Sequence, residues 1–354
     1  MSLYTPIQDI LQEYDVDAML VMSYFNLRYV TGGMGGGAAL VTKRGKYFFT
    51  DPRYIEDAGN KIKEATIKLC PSGTSLLAKV REQAEADGVK RFGFEESSLS
   101  IGQYTFLAES EQLELVPCQA LINRLIAVKG PEEKAKMIAA QRLAEEAFDR
   151  TLQQLCVGMT EKEAAAILVY QLLHLGADKS SFGPIVVSGA RSSLPHGAPS
   201  HKKIESGDFL TMDFGCVLDG WCSDMTRTVA FGSVTDEMRL VYDTVLRAQE
   251  AGIATARANI QGKRIHEAAM KVIADAGYAA YFTHGFGHGI GMAGHEDYGA
   301  GAGEEKILPA GAVISAEPGI YIPGRFGVRI EDVLYLTENG CENLMQTPKE
   351  LLIL

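Results

Sequence analysis

Two aspartates, Asp213 and Asp224, lie on either side of a predicted turn at Asp219-Gly220, and their spacing could support metal chemistry. The turn and the alternating residues around it predict a β-hairpin over residues 210–229 in which Asp213 faces Thr226. Because side chains alternate across a strand, both aspartates and Thr226 point to one face, with the carboxylates as diagonal neighbours about 7–8 Å apart by Cα. Two carboxylates there would repel each other in an apolar interior unless cations or protons intervened. A pair of bound metal ions would offset this repulsion. The alternative is an ordinary hairpin whose aspartates face solvent.

Histidines supply a second signal. His284, His288 and His295 fall within the glycine-rich segment THGFGHGIGMAGHED, where little side-chain bulk would let a ligand approach the imidazoles. His196 lies in a loop between a proline and a glycine, and loop histidines are better site candidates than helical ones. The remaining histidines predict no function: His201 is expected to be solvated, and His174 and His266 to lie on the surface or in packing.

Further acidic residues lie in the segment VISAEPGIYIPGRFGVRIEDVLYL, which contains two strand-like runs. Glu317 lies in the first run, and Arg329 and Glu331 alternate onto one face of the second. Buried strands seldom carry acids without partners, so the two glutamates form a second carboxylate pair. Four carboxylates and one imidazole suit manganese, cobalt or iron, with zinc as a further alternative. Two such cations about 3.5–4 Å apart lower the pKa of a shared water, and this predicts hydrolysis.

The elements that must position these residues form two predicted domains, 1–127 and 128–354. The first alternates helices and strands, including strands Ala18–Met22 and Arg91–Phe94 and a helix Leu76–Asp87, which is typical of an α/β layered sheet. A glycine run at 32–37 leads into a strand rather than a helix and is interpreted as a loop, not a phosphate site. The second domain is α+β and opens with a helix from Pro131 to about Leu155.

Composition excludes several classes of protein. The 354 residues carry a net charge of −11, so nucleic acid and anionic membranes are not expected partners. The amino terminus has neither a basic region nor a long apolar stretch, which predicts a cytoplasmic protein. Six scattered cysteines without a CxxC pair are expected to be reduced.

Five motifs in order resemble the pita-bread metallopeptidases (M24): MDFG at 212–215, SDMTRT at 223–228, GHGIG at 287–291, EPGIY at 317–321 and VRIED at 328–332. VSGARSSLPHGAPS is similar to the histidine loop of the Xaa-Pro branch, prolidase and aminopeptidase P, and DAMLVMSYFNLRYVTGG and TDPRY resemble the creatinase-type amino-terminal domain of that branch. The resemblance covers essentially the whole chain. It implies a creatinase-type α/β domain followed by a pita-bread catalytic domain.

Site roles follow from this resemblance position by position. It implies five ligands for two divalent metal ions, manganese first, with Asp224 and Glu331 bridging: Asp213, Asp224, His288, Glu317 and Glu331. His196 and His295 match histidines that contact substrate at the scissile bond, and His284 matches a further substrate-pocket histidine. Catalytic roles fall on these first two histidines, on Glu317 as proton shuttle and on Arg329 as the residue that orients Asp213, while Tyr321 contributes to the substrate side.

The implied activity is hydrolysis of the Xaa-Pro bond at the amino terminus of short proline-containing peptides by a metal-bridging hydroxide, in a homodimer. One departure concerns peptide length, because Asp297, Tyr298 and Gly299 stand where prolidases commonly carry a proline and a carboxylate-binding arginine. Longer Xaa-Pro-Yaa peptides are therefore expected at least as much as dipeptides, unless an arginine from elsewhere in the chain or from another subunit supplies the missing charge. The alternatives are a creatinase-like C–N hydrolase and a catalytically silent binding protein on the same fold.

Overall fold

The computed structural model describes residues 2–354, which divide into two compact units, one ending at Ile126 and the other spanning Ala127–Leu354. None of the helices in this described part of the chain combines the length and the apolarity that crossing a bilayer requires. The cysteines are all free thiols, as the sequence predicts.

The first unit is built on one mixed sheet in the order β4-β3-β2-β1-β5-β6, in which β1 pairs antiparallel with β2 and parallel with β5. Its strands are β1 (Ala18–Val21), β2 (Ala38–Thr42), β3 (Lys46–Thr50), β4 (Thr66–Leu69), β5 (Arg91–Phe94) and β6 (Glu114–Pro117). Its helices are α1 (Tyr4–Ile10), α2 (Tyr24–Thr31), α3 (Ile55–Lys61), α4 (Leu76–Ala86), α5 (Ile101–Ala108) and α6 (Gln119–Ala127). The predicted α/β alternation is confirmed.

The glycine run at 32–37 is a connection between α2 and β2. Gly32 ends α2 with a left-handed φ of 77°, a conformation that glycine adopts without steric cost. The interpretation as a loop leading into a strand is confirmed.

The second unit carries four long helices among the described residues and several small sheets. The helices are α7 (Pro131–Leu152), α8 (Glu161–His174), α9 (Asp236–Thr255) and α10 (Gly262–Asp275). The strands are β7 (Lys179–Ser180), β8 (Ile185–Ser188), β9 (Phe209–Phe214), β10 (Cys216–Leu218), β11 (Trp221–Cys222), β12 (Met225–Ala230), β13 (Gly287–Gly289), β14 (Glu296–Ala300), β15 (Val313–Ala316), β16 (Gly319–Ile322), β17 (Phe326–Arg329), β18 (Asp332–Thr337) and β19 (Gly340–Asn343). The sheets run β7-β10-β11, β8-β9-β12, β14-β13-β15-β18-β19 and β16-β17 in spatial order.

Two apolar cores hold the helices of this unit against its sheets. Small and apolar residues of α7 and α8, such as Ala144 and Leu168, pack with Leu210, Met212 and Phe214 on one face of β9. A second core joins α9 and α10 to the inner faces of β15–β18. Because side chains alternate along β9, its opposite face carries Thr211 and Asp213 toward the interior of the unit.

The hairpin forms with the predicted register. Leu218 pairs with Trp221, and Asp213 pairs with Thr226. Asp219 and Gly220 have φ values of 50° and 84°, and two successive left-handed residues are the signature of the type I′ turn that Asp-Gly favours.

The runs that contain Glu317 and Glu331 differ from the prediction, because neither is a continuous strand. Glu317 lies between β15 and β16, and Glu331 lies between β17 and β18. At these breaks the amide of Glu317 donates to the carbonyl of Phe286, and the amide of Glu331 donates to the carbonyl of Thr226. Both glutamates therefore lie where the chain passes from one sheet to another.

Candidate metal centre

A cavity of about 680 Å³ within the second unit collects most of the residues that the sequence singled out. Nine of them line it: His196, Asp213, Asp224, His284, His288, His295, Glu317, Arg329 and Glu331. Tyr321 lies behind the lining, where its hydroxyl contacts both Arg329 and His284. His174 and His201 are exposed and lie elsewhere, and His266 is buried against the ring of Phe282.

The acidic residues of the cavity are withdrawn from solvent. The exposed fractions of Asp213, Asp224 and Glu331 are 8%, 3% and 1%. The alternative of a hairpin whose aspartates face solvent is therefore wrong. One oxygen of each of these carboxylates is buried without a hydrogen-bond partner: Asp213 Oδ1, Asp224 Oδ1 and Glu331 Oε1. An unpaired buried carboxylate oxygen is costly, and a divalent cation would satisfy it.

His288 presents its ring to these carboxylates. Its Nδ1 donates to the carbonyl of Gly289 at 3.0 Å, which leaves Nε2 with a lone pair. That Nε2 lies 3.3 Å from Glu317 Oε1 and 3.7 Å from Asp224 Oδ2. Asp224, His288 and Glu331 each place one ligand atom within 4.8 Å of the others. A carbonyl that fixes the tautomer of a histidine in this way is the usual support for a metal-binding imidazole.

Burial and mutual repulsion set the electrostatics of the carboxylates. Burial raises the pKa of Asp224 and of Glu331 well above the usual range, and neighbouring carboxylates raise both further. Burial also lowers the pKa of His288, which favours the neutral, ligating form of its imidazole. A cluster of acids that repel one another around a neutral imidazole fits divalent cations bound by oxygen and nitrogen.

Arg329 links two of the proposed ligands through hydrogen bonds. Its guanidinium donates to Asp213 Oδ2 and, at 3.1 Å, to the hydroxyl of Thr226, which itself donates to Glu331 Oε2 at 2.7 Å. A third bond of 2.8 Å runs to the hydroxyl of Tyr321. The buried guanidinium of Arg329 therefore orients one carboxylate from each of the two predicted pairs, those of Asp213 and Glu331.

The other histidines line the cavity around the carboxylates. His284 donates from Nδ1 to the carbonyl of Gly285 at 2.8 Å and accepts from the Tyr321 hydroxyl at Nε2, over 2.9 Å. The ring of His295 stacks on that of His288 with 3.8 Å between centroids. Burial lowers the pKa of His284 and His295, so both imidazoles are neutral at physiological pH.

Glycine permits the close strand approach in this region. A Cβ on Gly287 would lie 1.9 Å from the carbonyl oxygen of Ser315, and a Cβ on Gly289 would lie 2.0 Å from that of Asp297. The glycines of the segment thus make room for neighbouring backbone, which brings β13 and its histidine against β15 and β14.

Several supporting residues escape sequence reasoning. Ser315 accepts from the amide of His288 at 3.0 Å and donates to Glu317 Oε1 at 2.9 Å. Gln249 on α9 donates to the carbonyls of Ala316 and Ile330, the residues that precede Glu317 and Glu331. Ser315 lies two residues before a predicted ligand on the same strand face and could have been found by alternation, whereas nothing in the local sequence marks Gln249.

Comparison with known proteins assigns the chain to a family. Residues 135–338 match Metallopeptidase family M24, and residues 5–127 match the Creatinase/Prolidase N-terminal domain. The chain belongs to family M24 and is a metallopeptidase that uses divalent metal. The predicted resemblance, with its creatinase-type and pita-bread domains, is confirmed.

Individual relatives cover nearly the full chain. The uncharacterized peptidase YqhT of Bacillus subtilis is 40% identical over 350 residues, which cover 98% of this chain and 99% of the relative. The solved Xaa-Pro dipeptidase from Bacillus anthracis superposes with a TM-score of 0.95 at 35% identity and 99% coverage of both chains. The X-Pro aminopeptidase from Thermotoga maritima superposes with a TM-score of 0.91 at 31% identity, with 100% of both chains covered.

Proposed function

We propose that this protein is a dinuclear metal-dependent peptidase that hydrolyses the Xaa-Pro bond at the amino terminus of dipeptides or short peptides. The observation that carries the proposal is the set of buried, unpartnered carboxylate oxygens of Asp213, Asp224 and Glu331 beside the Nε2 of His288. The names of the Bacillus anthracis and Thermotoga maritima proteins support the choice of a proline-containing substrate.

In this proposal five residues hold two divalent ions, manganese before cobalt, iron or zinc: Asp213, Asp224, His288, Glu317 and Glu331. Asp224 and Glu331 would be shared between the two ions, and the closeness of the two carboxylates is consistent with the charge of Asp224 raising the pKa of Glu331. When bound, such ions supply Lewis acidity and lower the pKa of a water to near neutrality.

The side chains of the protein perform the remaining tasks. Glu317, held by the hydroxyl of Ser315, takes a proton from the attacking water and passes it to the departing proline nitrogen. Because the imidazole of His295 is neutral and faces the cavity, it can exchange hydrogen bonds with the peptide at the scissile bond, together with His196. His284, whose ring nitrogens are engaged by Gly285 and Tyr321, contributes its ring to the wall of the substrate pocket. Arg329 keeps Asp213 in place, and Tyr321 links Arg329 to His284.

Peptide length is set by the charges around the cavity. Among the cavity-lining residues that the structure describes, Arg329 alone carries a permanent positive charge, and it is engaged by Asp213. Asp297, in the region where prolidases commonly carry a carboxylate-binding arginine, contacts Lys306 at 2.5 Å instead. Without a cation for the free carboxylate of a dipeptide, longer peptides with proline in second position are substrates as well.

Hydrolysis of Ala-Pro and of Ala-Pro-Ala by metal-stripped protein reconstituted with Mn²⁺ tests the proposal, with EDTA-treated protein as the control. Cleavage of either peptide that disappears with EDTA supports the proposal, and their relative rates give the length preference. No cleavage of either peptide by protein that has bound its metal would overturn it. The homodimer, the cytoplasmic location and the boundary between residues 127 and 128 stay predictions.

A further inference from the structure

The loop that carries His196 leaves β8 at Ser188 and returns at Ser200, and it forms one wall of the cavity. Both ends of this loop converge on one buried carboxylate, that of Glu161, which is the first residue of α8 and has 0% exposure. Glu161 lies outside the cavity lining, and the hydrogen bonds of its carboxylate run to Ser188, Arg191 and Ser200 instead of to the proposed metal ligands. Its position calls for a different role from that of the cavity acids.

Hydrogen bonds divide the carboxylate between the two ends. Oε1 accepts from the amide of Ser188 at 2.7 Å, while Oε2 accepts from the amide of Ser200 at 2.9 Å and from its hydroxyl at 2.6 Å. Arg191, within the loop, donates from Nε to Glu161 Oε2 at 3.0 Å and from its terminal nitrogen to the carbonyl of Ala198 at 2.6 Å. The carboxylate therefore also reaches, through Arg191, a residue two positions from His196.

The anchor points themselves are fixed to regular structure. Ser188 pairs with Leu210 in the β8–β9 ladder, and the carbonyl of Ser200 accepts from the amide of Lys162 on α8 at 3.1 Å. Hydrogen bonds to an ionised carboxylate are stronger than hydrogen bonds between neutral groups, and the Glu161 carboxylate accepts several of them. The Glu161 carboxylate therefore ties both ends of the loop to the start of α8, while Arg329 holds the middle of the loop by donating to the carbonyl of Pro195 at 3.2 Å.

We propose that Glu161 is a positioning residue that sets the location of the His196 imidazole in the cavity. This inference rests on the proposed role of His196 in contacting the peptide. Displacement of such a contact by about 1 Å can cost on the order of 100-fold in rate, so loss of the carboxylate should act on catalysis through His196 while leaving the metal ligands unchanged.

A double-mutant cycle separates this role from a general structural one. We expect Glu161→Gln to lower kcat/KM by about 10- to 100-fold with metal content equal to wild type. In a His196→Ala background the same substitution should change kcat/KM by less than about threefold, because the group it positions is already absent. Glu163→Gln is the matched control, since Glu163 is exposed on the same turn of α8, caps the helix and has no bond to the loop. An equal loss in both backgrounds, or no loss at all, would overturn the proposal.

Two further measurements keep the test decisive. If Glu161→Gln does not fold, Ser200→Ala removes one of the bonds while keeping the backbone amide, and we expect a smaller loss with the same dependence on His196. The imidazole NMR signal of His196 in zinc-loaded protein, identified by its absence in His196→Ala, should shift or broaden in Glu161→Gln while the signal of His174 stays fixed. This signal reports on positioning even if the wild type cleaves no proline peptide, so failure of the proposed function and failure of this inference are distinguishable. An unchanged His196 signal would contradict the inference.

Discussion

The guanidinium of Arg329 donates a hydrogen bond to the carboxylate of Asp213, and both residues are buried, with 3% and 8% exposure. The same guanidinium reaches Glu331 through the hydroxyl of Thr226. One guanidinium thus orients a carboxylate of strand β9 and a carboxylate of the connection between β17 and β18. The planar fork of arginine makes these directed bonds simultaneously, which the single ammonium of lysine does not.

Replacement of Arg329 by lysine should therefore lower kcat/KM by about 10- to 100-fold and weaken metal binding, because charge is retained while the geometry of the ligands is not. Metal affinity measured by calorimetry, together with peptide hydrolysis, checks this. Arg325→Lys is the control, since Arg325 lies on the surface near the same strands, where it pairs with Glu237. A metal affinity and a rate of peptide hydrolysis equal to wild type in Arg329→Lys would show that the planar guanidinium is not needed.

Neutralising either proposed bridging carboxylate should remove one metal ion and abolish hydrolysis. Asp224→Asn and Glu331→Gln keep the volume of each side chain but provide only a weak, neutral ligand. Emission spectroscopy on purified protein counts the ions per chain. Asp219→Asn serves as the control because Asp219 is exposed in the turn of the same hairpin, where its left-handed φ of 50° suits asparagine. Two tightly held ions in both amide variants would refute the assignment.

Gln249 should stabilise the strand breaks that present Glu317 and Glu331. Its buried amide donates to the carbonyl of Ala316 at 3.0 Å and to that of Ile330 at 3.4 Å, so Gln249→Leu leaves both carbonyls without this donor. We expect a loss of about 1–3 kcal/mol in the free energy of unfolding, measured by urea denaturation of metal-free protein. Glu250→Gln, exposed on the next position of α9, should stay within about 0.5 kcal/mol of wild type. A Gln249→Leu variant as stable as that control would contradict the role.

Glu161 should make stability depend on pH in the acid range. Burial raises the pKa of Glu161, but hydrogen bonds from Ser200, Ser188 and Arg191 outweigh it and hold the pKa below its usual range. A lowered pKa in the folded state means that the charged form stabilises the protein above the unfolded value of about 4.3, and that this contribution disappears as the pH falls through the folded pKa. The difference in melting temperature between wild type and Glu161→Gln, both metal-free, should be constant from about pH 6 to 8 and shrink below about pH 4. A difference that grows on acidification would have the wrong sign for this account.

The hairpin shows how much of this site local sequence determines. The Asp219-Gly220 turn and the period-two alternation were sufficient to predict that Asp213 pairs with Thr226, since turn type and strand register follow from local preferences. The capping box at the start of α8 is likewise a local pattern, since Thr160 and Glu163 lie three positions apart.

Contacts between distant segments were beyond such reasoning. The breaks at Glu317 and Glu331 depend on amide bonds to Phe286 and Thr226, and no local pattern in the runs reveals those partners. Glu161 has no local pattern that marks its role, although it anchors a loop about 30 residues further along the chain. Burial of a charged residue is decided by the segments that close over it, and these are specified elsewhere in the sequence.

Titration of metal-stripped protein with Mn²⁺, with bound ions and peptide hydrolysis measured on the same samples, tests the central claim most directly. The account predicts that stripped protein is inactive, that hydrolysis of Ala-Pro or Ala-Pro-Ala appears as Mn²⁺ binds, and that it reaches its maximum at two ions per chain. Full hydrolysis by the stripped protein, or a maximum at one bound ion with no second ion detected, would contradict a dinuclear metallopeptidase site built from these five residues.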